Sequence, residues 1–319
     1  MSHALSRVLT ACVCIFALLA GPAHSNDSEK ALIEAAIAGD VAGVTRLLDA
    51  GTDVNARNEI GKTALMYAAE GGQSKVVELL LSRGAYVDAQ TNSGCTALQF
   101  AAESGWDPVV RRLIEQFADI GIITRQGEDA LIMAARAGKV ETVASLVESG
   151  ADVTQVDRHG RTALMAAAEA GYDQAVSALL AGKADPRAAD NHGATALMFA
   201  AAGGFTEVIR ILITGGSDTE QRADTGSTAS LWAADLGHSQ AVTQLIEAGS
   251  NVDASNNEGG TALFEAAPNG HAKVVAKLLG AGANPAMQDT ADFSAADYAR
   301  RSGHAAIADA IEQATKGHL

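Results

Sequence analysis

The side chains able to do chemistry in this sequence are few, and they recur at a fixed spacing. His238, His271 and His304 are separated by 33 residues each. Imidazoles serve as metal ligands and general bases, but equivalent positions of a stacked repeat sit roughly 8 to 10 Å apart. Bonds to a zinc ion are about 2.0 to 2.1 Å long, so consecutive equivalents cannot share one ion. A structural role in a turn is the expected one for these three. Cys95 follows Gly94 at a turn and is expected to be exposed, either as an idle thiol or as a site of oxidation or cross-linking. The chain has no Gly-x4-Gly-Lys-Ser/Thr phosphate loop, no Gly-x-Ser-x-Gly elbow and no His-Glu-x-x-His pair. The expectation is therefore a protein without catalytic residues, metal or cofactor; the opposing class is an enzyme with an undescribed site in a groove.

Composition narrows the class further. Lys and Arg number 23 against 38 Asp and Glu, giving a formal charge of −15 over 319 residues. Phosphate binding needs a positive field, so a protein whose main task is gripping nucleic acid is not expected. Apolar residues make up 48% of the chain but aromatics only 4%, so a core is affordable only if small side chains pack it.

The N-terminus reads differently from the rest. Arg7 precedes an apolar run from Val8 to Ala20, and Gly21-Pro22-Ala23-His24-Ser25 follows with a helix break and small residues before a cut after Ser25. Residues 1–25 are expected to be a secretory signal peptide; an uncut membrane anchor is the alternative, although a span takes about 20 residues. Cys12 and Cys14 lie inside the run, so cleavage leaves Cys95 alone and no intramolecular disulfide is expected.

Laid out in rows of 33, the remainder falls into register. Thr63-Ala64-Leu65, Thr96-Ala97-Leu98, Thr162-Ala163-Leu164, Thr195-Ala196-Leu197 and Thr261-Ala262-Leu263 share one phase, and Gly39, Gly72, Gly105, Gly138, Gly171, Gly204, Gly237, Gly270 and Gly303 share another. A period of this length announces a solenoid, whose units bury their apolar faces against one another. Within a unit, Thr63 is placed to cap a helix with Ala64, Leu65, Ala68 and Ala69 on its packed face, and Gly72 ends it. Val76, Val77, Leu79, Leu80 and Leu81 are the expected buried face of a second helix. In a later unit Asp107-Pro108 reads as a capping acid before Pro at the first helical position. Glycines such as Gly84 and Gly150 close the second helix, and a projecting turn returns through Gly61, Gly94 or Gly127. Phe117 and Lys183 stand where that closing Gly belongs. Those helices are expected to end differently, with Gly182 taking over by a shift of one position.

Thr162-Ala163-Leu164-Met165-Ala166-Ala167-Ala168, Gly270-His271, Val274-Val275-Ala276-Lys277-Leu278-Leu279 and Gly51-Thr52-Asp53-Val54-Asn55 resemble the ankyrin repeat throughout residues 26–319. The resemblance implies an all-α solenoid of about nine helix-turn-helix units with projecting β-turn fingers. The units start near residues 30, 63, 96, 129, 162, 195, 228, 261 and 294. Ala replaces the family's Pro in every unit, and residues such as Met66, Met165 and Met198 replace the His that follows, so the usual Thr/His hydrogen-bond network is not expected. The first and last units carry charge beside their apolar faces, as caps should.

Two surfaces are candidates for partner binding. The fourth position after each Thr, expected on the concave side, holds Tyr67, Phe100, Met133, Ala166, Phe199, Trp232, Glu265 and Tyr298. These form either a discontinuous apolar stripe of anchors or packing between units. The fingers hold Arg125, Arg158, His159, Arg161, Arg187, His192 and Arg222, interrupted by Asp157, Asp190 and Asp224. They form either a docking site for an anionic patch or ordinary solvated turns. The expected function is a non-catalytic protein-protein interaction scaffold, monomeric, periplasmic or secreted, with no nucleic acid and no membrane insertion after cleavage. An effector acting on host proteins is the second interaction reading.

Overall fold

The computed structural model describes residues 27–317; the expected signal segment, residues 1–25, lies outside the described residues. Helices alternate as inner and outer members of each unit: α1 Asp27–Ala38, α2 Val41–Asp49, α3 Ala64–Glu70, α4 Ser74–Ser82, α5 Ala97–Ser104, α6 Asp107–Glu115, α7 Ala130–Arg136, α8 Val140–Glu148, α9 Ala163–Ala170, α10 Asp173–Ala181, α11 Ala196–Gly203, α12 Thr206–Thr214, α13 Ala229–Asp235, α14 Ser239–Glu247, α15 Ala262–Ala266, α16 Ala272–Gly280, α17 Ala295–Arg301 and α18 Ala305–Gly317. Each inner helix packs on the inner helices before and after it and on its own outer helix, and outer helices pack on outer helices. Between units the chain makes isolated bridges such as Val156 with Thr162 and Ala189 with Thr195, and no longer strand forms among the described residues. Nor is any described helix long and apolar enough to cross a membrane.

The small-residue pattern explains the inner layer. Ala64, Leu65, Ala68 and Ala69 are all at most 1% exposed, and the absence of bulk lets α1, α3 and α5 approach closely. On α4, Val76, Val77 and Leu80 are buried while Leu79 and Leu81 are only half-buried, so its packed stripe is narrower than the sequence suggested. Thr63, Thr96, Thr162 and Thr195 accept a hydrogen bond from the backbone three residues on, as expected of N-caps. The reciprocal bond to the Thr backbone survives strongly where Gln99 stands, its Oε1 accepting from Thr96 N at 2.8 Å. Met66 offers only a sulfur at 3.4 Å.

Two expectations about helix ends are corrected. Phe117 and Lys183 do not shift the register; they adopt the left-handed conformation themselves, at φ 63° and 68°, while Gly182 stays right-handed at φ −76°. The turn geometry is imposed by stacking, so the residue that falls there takes it. Asp107 is not the cap of α6 but its first residue, after the cap Trp106. Its carboxylate is used instead by Arg111 Nε at 2.8 Å and by the Ser145 hydroxyl.

The strict Gly column has a steric cause. Gly72 is at φ 69°, and a Cβ there would lie 2.4 Å from the Trp106 ring of the next unit. The same seat is filled by Tyr172 over Gly138, Phe205 over Gly171, and His238, His271 and His304 over Gly204, Gly237 and Gly270. Trp106 Nε1 donates to Glu70 O, and His238 and His271 Nε2 lie 2.8 Å from Ala202 O and Asp235 O. A carbonyl can only accept, so the proton of each imidazole sits on Nε2. These rings strap one unit to the next, and no group of three metal-ligating side chains occurs among the described residues.

Candidate protein-binding surface

The concave column is neither uniformly apolar nor uniformly open. Phe100 and Met133 are 2% and 1% exposed, Phe199 is 8% and Ala166 9%, so these four fill the space between inner helices. Tyr67, Trp232, Glu265 and Tyr298 are half-buried and present part of their surface to the groove. Trp232 stands edge-on to Phe199, with ring centroids 5.9 Å apart. Tyr298 donates its hydroxyl to Asp289 at 2.6 Å.

Several of the rings are covered by cations of the same chain. Lys62 Nζ sits 4.3 Å from the Tyr67 centroid and 4.0 Å from that of Phe100 while bonding Glu70 at 2.5 Å. The Lys62 side chain is only 3% exposed, and the three partners offset its desolvation. Arg161 lies over Phe199 at 4.7 Å and pairs with Glu169 at 2.8 Å. Between them Arg136 bridges Glu128 and Glu103. The column that the repeat register offered either as a stripe of anchors or as packing between units is therefore a groove floored by rings and roofed by ion pairs. The sequence signal for this was available: opposite charges recur eight residues apart, at Lys62 and Glu70, Glu128 and Arg136, and Arg161 and Glu169.

Three carboxyls in or under this face are displaced from their ordinary range. Asp129 takes the place of the capping Thr and is 3% exposed; burial pushes it up to about 6, against the hydrogen bond it accepts from Ile132 N. Burial, reinforced by Asp235 and Glu258, pushes Glu265 up to about 7, against a bond from Asn256 Nδ2 at 3.1 Å. Burial also raises Glu103, with the Arg136 charge opposing it.

Cys95 is not at the surface. It is 1% exposed, packed in the apolar core, with its sulfur 3.4 Å from Ser93 Oγ. The turn curls it inward under Thr91, whose Oγ1 accepts from Cys95 N at 3.0 Å. Oxidation or cross-linking of the folded chain through this thiol is closed off.

The fingers, by contrast, are open and tightly ordered. Arg125, Arg158, His159, Arg187, His192 and Arg222 are exposed and Arg161 is half-buried. Each tip hangs on the one before it by a backbone bond: Asn92 N to Ile60 O, Arg125 N to Ser93 O, Arg158 N to Gln126 O, Asn191 N to His159 O, Asp224 N to His192 O, Asn257 N to Thr225 O and Thr290 N to Glu258 O, all at 2.8 to 3.0 Å. The close approach depends on finger glycines; a Cβ on Gly127, at φ 80°, would stand 3.0 Å from Arg158 N. The irregular finger holding Ile122 is secured from below, where Gln99 Nε2 donates to Ile122 O and Glu128 O.

This architecture of paired helices, left-handed glycine seats and laddered fingers offers a long, preorganised surface. No curated protein matches the chain. A family model of ankyrin repeats matches residues 9–91, 87–157, 154–223 and 204–289, its first match beginning ahead of the first described helix. Ankyrin repeats are in general protein-protein interaction modules, and this chain belongs to the ankyrin-repeat family.

Proposed function

We propose that this ankyrin-repeat chain is exported and acts in the cell envelope as a non-catalytic scaffold that binds a partner protein through its fingers and the open part of its concave groove. The observation that carries the reading is the unbroken backbone ladder joining the fingertips from Ile60 to Thr290. A surface already fixed in the free protein loses little conformational entropy on association. Export rests on the Arg7 charge, the Val8 to Ala20 run and the small residues before Ser25.

The aromatic anchors of this scaffold are Trp232, Tyr298 and Tyr67, which keep exposed surface, while Phe100, Met133 and Phe199 support them from beneath. A fourfold Ala replacement that includes Phe100 and Phe199 would empty the inner layer, so the useful variant is Trp232→Ala with Arg125→Ala and Arg158→Ala. Capture from envelope extract with the exported full-length product should retain one partner on wild type and lose it on this variant, with circular dichroism unchanged. N-terminal sequencing of that product should begin at Asn26. Retention of the identical partner by both proteins would remove the binding assignment, and an N-terminus at Met1 would remove the export assignment.

A further inference from the structure

The fingers of residues 123–128, 156–161 and 189–194 differ from their neighbours in what they present to solvent. Their tips carry Arg125, Arg158 with His159, and His192, all exposed. The tip before them is the uncharged Asn92-Ser93, with Glu59 one tip further back, and the tips after them carry Asp224 and Glu258. The acids inside the basic fingers point away from the tip guanidinium groups: each gives one oxygen to backbone amides, and Asp190 Oδ2 lies 4.0 Å from Arg161 Nε below the tips. Asp157 Oδ1 accepts from His159 N and Arg161 N at 2.8 and 2.9 Å, and Asp190 Oδ1 accepts from His192 N and Ala194 N at the same distances. The Asp190 side chain is 4% exposed.

The basic groups are free to act outward. Arg57 and Arg222 also lie in fingers, but their guanidinium groups are tied to carbonyls, those of Gln90 and Ser255. At the tip position itself, Asn92, Asn191 and Asn257 spend their side chains on the preceding finger, at Glu59 O, Arg158 O and Asp224 O. Arg125 makes no such bond, and Arg158 commits only its Nε, to His159 Nε2 at 3.0 Å, leaving its two terminal nitrogens toward solvent. Two guanidinium groups are thus held one repeat apart by the backbone ladder in a chain of net charge −15.

Resting on the scaffold reading above, we infer that these three fingers dock an extended acidic segment of the partner protein whose carboxylates recur at every third residue. Successive units stand roughly 8 to 10 Å apart, and an extended chain advances about 3.3 Å per residue, so three residues match one finger. Carboxylate against guanidinium is the charge-assisted, fork-shaped pairing that Arg favours. A nucleic acid strand fits less well. Its charge is continuous, and beyond three fingers it runs onto Asp224 and Glu258 on one side and, past the uncharged Asn92-Ser93 tip, Glu59 on the other.

The test uses fluorescein-labelled peptides of about nine residues, the length that spans three fingers. One has Glu at its first, fourth and seventh positions among Ser and Gly; a second of identical composition has its three Glu adjacent. Anisotropy titrations with the full chain at low ionic strength should show the spaced peptide binding several-fold tighter than the clustered one. Arg125→Gln with Arg158→Gln should weaken the spaced peptide about tenfold, the loss expected for two exposed ion pairs, and added salt should weaken it further. Both positions are exposed tips, so circular dichroism should be unchanged. Equal affinity for the two peptides, an unaffected double variant, or tighter binding of a single-stranded oligonucleotide would each overturn the inference. If the captured partner still binds the Arg125→Gln, Arg158→Gln protein and is lost only with Trp232→Ala, the acidic-segment inference fails while the scaffold stands.

Discussion

Replacing Phe117 by Gly should stabilise this protein, although it deletes the largest side chain available at that turn. Phe117 is 89% exposed, so the ring contributes little burial; complete burial of such a side chain is worth about 3 kcal/mol at most, and a tenth of that is the most Phe117 can hold. Against this stands its backbone at φ 63°, a conformation that costs a non-glycine residue roughly 1 to 2 kcal/mol. Glycine relieves the strain and returns about 0.5 to 1 kcal/mol of it as extra freedom in the unfolded chain. The net gain should be about 0.5 kcal/mol. Lys183→Gly, at φ 68° and also exposed, should gain a similar amount, whereas Phe117→Ala retains the strained Cβ and should be nearly neutral. A urea titration of all four proteins is the assay, supported by hydrogen exchange at Ala118, whose N–H bonds Leu113 O at 3.0 Å. Exchange is needed because a solenoid's stability is a sum of unit and neighbour terms and unfolding of so long an array is not assured to be two-state. If Phe117→Gly is destabilising, the ring is covered in solution; if Ala and Gly behave alike, backbone strain is not the cause.

The remaining predictions concern titration and the glycine seats. Asp129 is displaced from 3.8 to about 6, so its anion is disfavoured in the folded chain by up to about 3 kcal/mol. Because the folded value is the raised one, that stability is present below pH 4 and is lost as pH rises through about 6. Asp129→Thr should keep the cap, flatten the pH dependence of the urea midpoint across this window and be more stable than wild type at pH 8. Glu265, pushed up to about 7, should lose its contribution as pH rises through 7; Glu265→Gln should abolish that loss, and a carboxyl carbon resonance titrating near 4 would contradict the reading. Gly72→Ala forces a Cβ to 2.4 Å from the Trp106 ring at φ 69°, and should cost more than the roughly 1 to 2 kcal/mol of backbone strain alone. In a double-mutant cycle, Trp106→Ala should remove the excess; full additivity would show that the ring is not what excludes the side chain.

The repeat was legible because its constraints are local and recur. Thr63 caps, Ala68 and Ala69 permit close helices, and Gly72 and Gly105 take positive φ in every unit that must turn there. The same regularity misled at its exceptions. Lys183 suggested a turn shifted to Gly182 and Phe117 a helix that ends differently, but stacking on both sides imposes the same left-handed turn on both residues. The motif Asp107-Pro108 suggested a cap, but Trp106 occupies the cap seat because its ring is needed against Gly72.

Unit length, helix pairing, the finger positions and the net charge follow from the amino-acid sequence alone, since each depends on residues close in one 33-residue row. Which side chains are available to a partner was decided only by contacts between rows. Lys62 covers Phe100 of the next unit, Arg161 covers Phe199, and the turn before Thr96 folds Cys95 into the core. Asp190 accepts two amides of its own finger and faces Arg161 of the finger before it at 4.0 Å, while Arg125 keeps its guanidinium in solvent. These outcomes depend on distances across the stack, and two positions of identical phase differ in exposure according to the neighbour that tertiary packing brings against them.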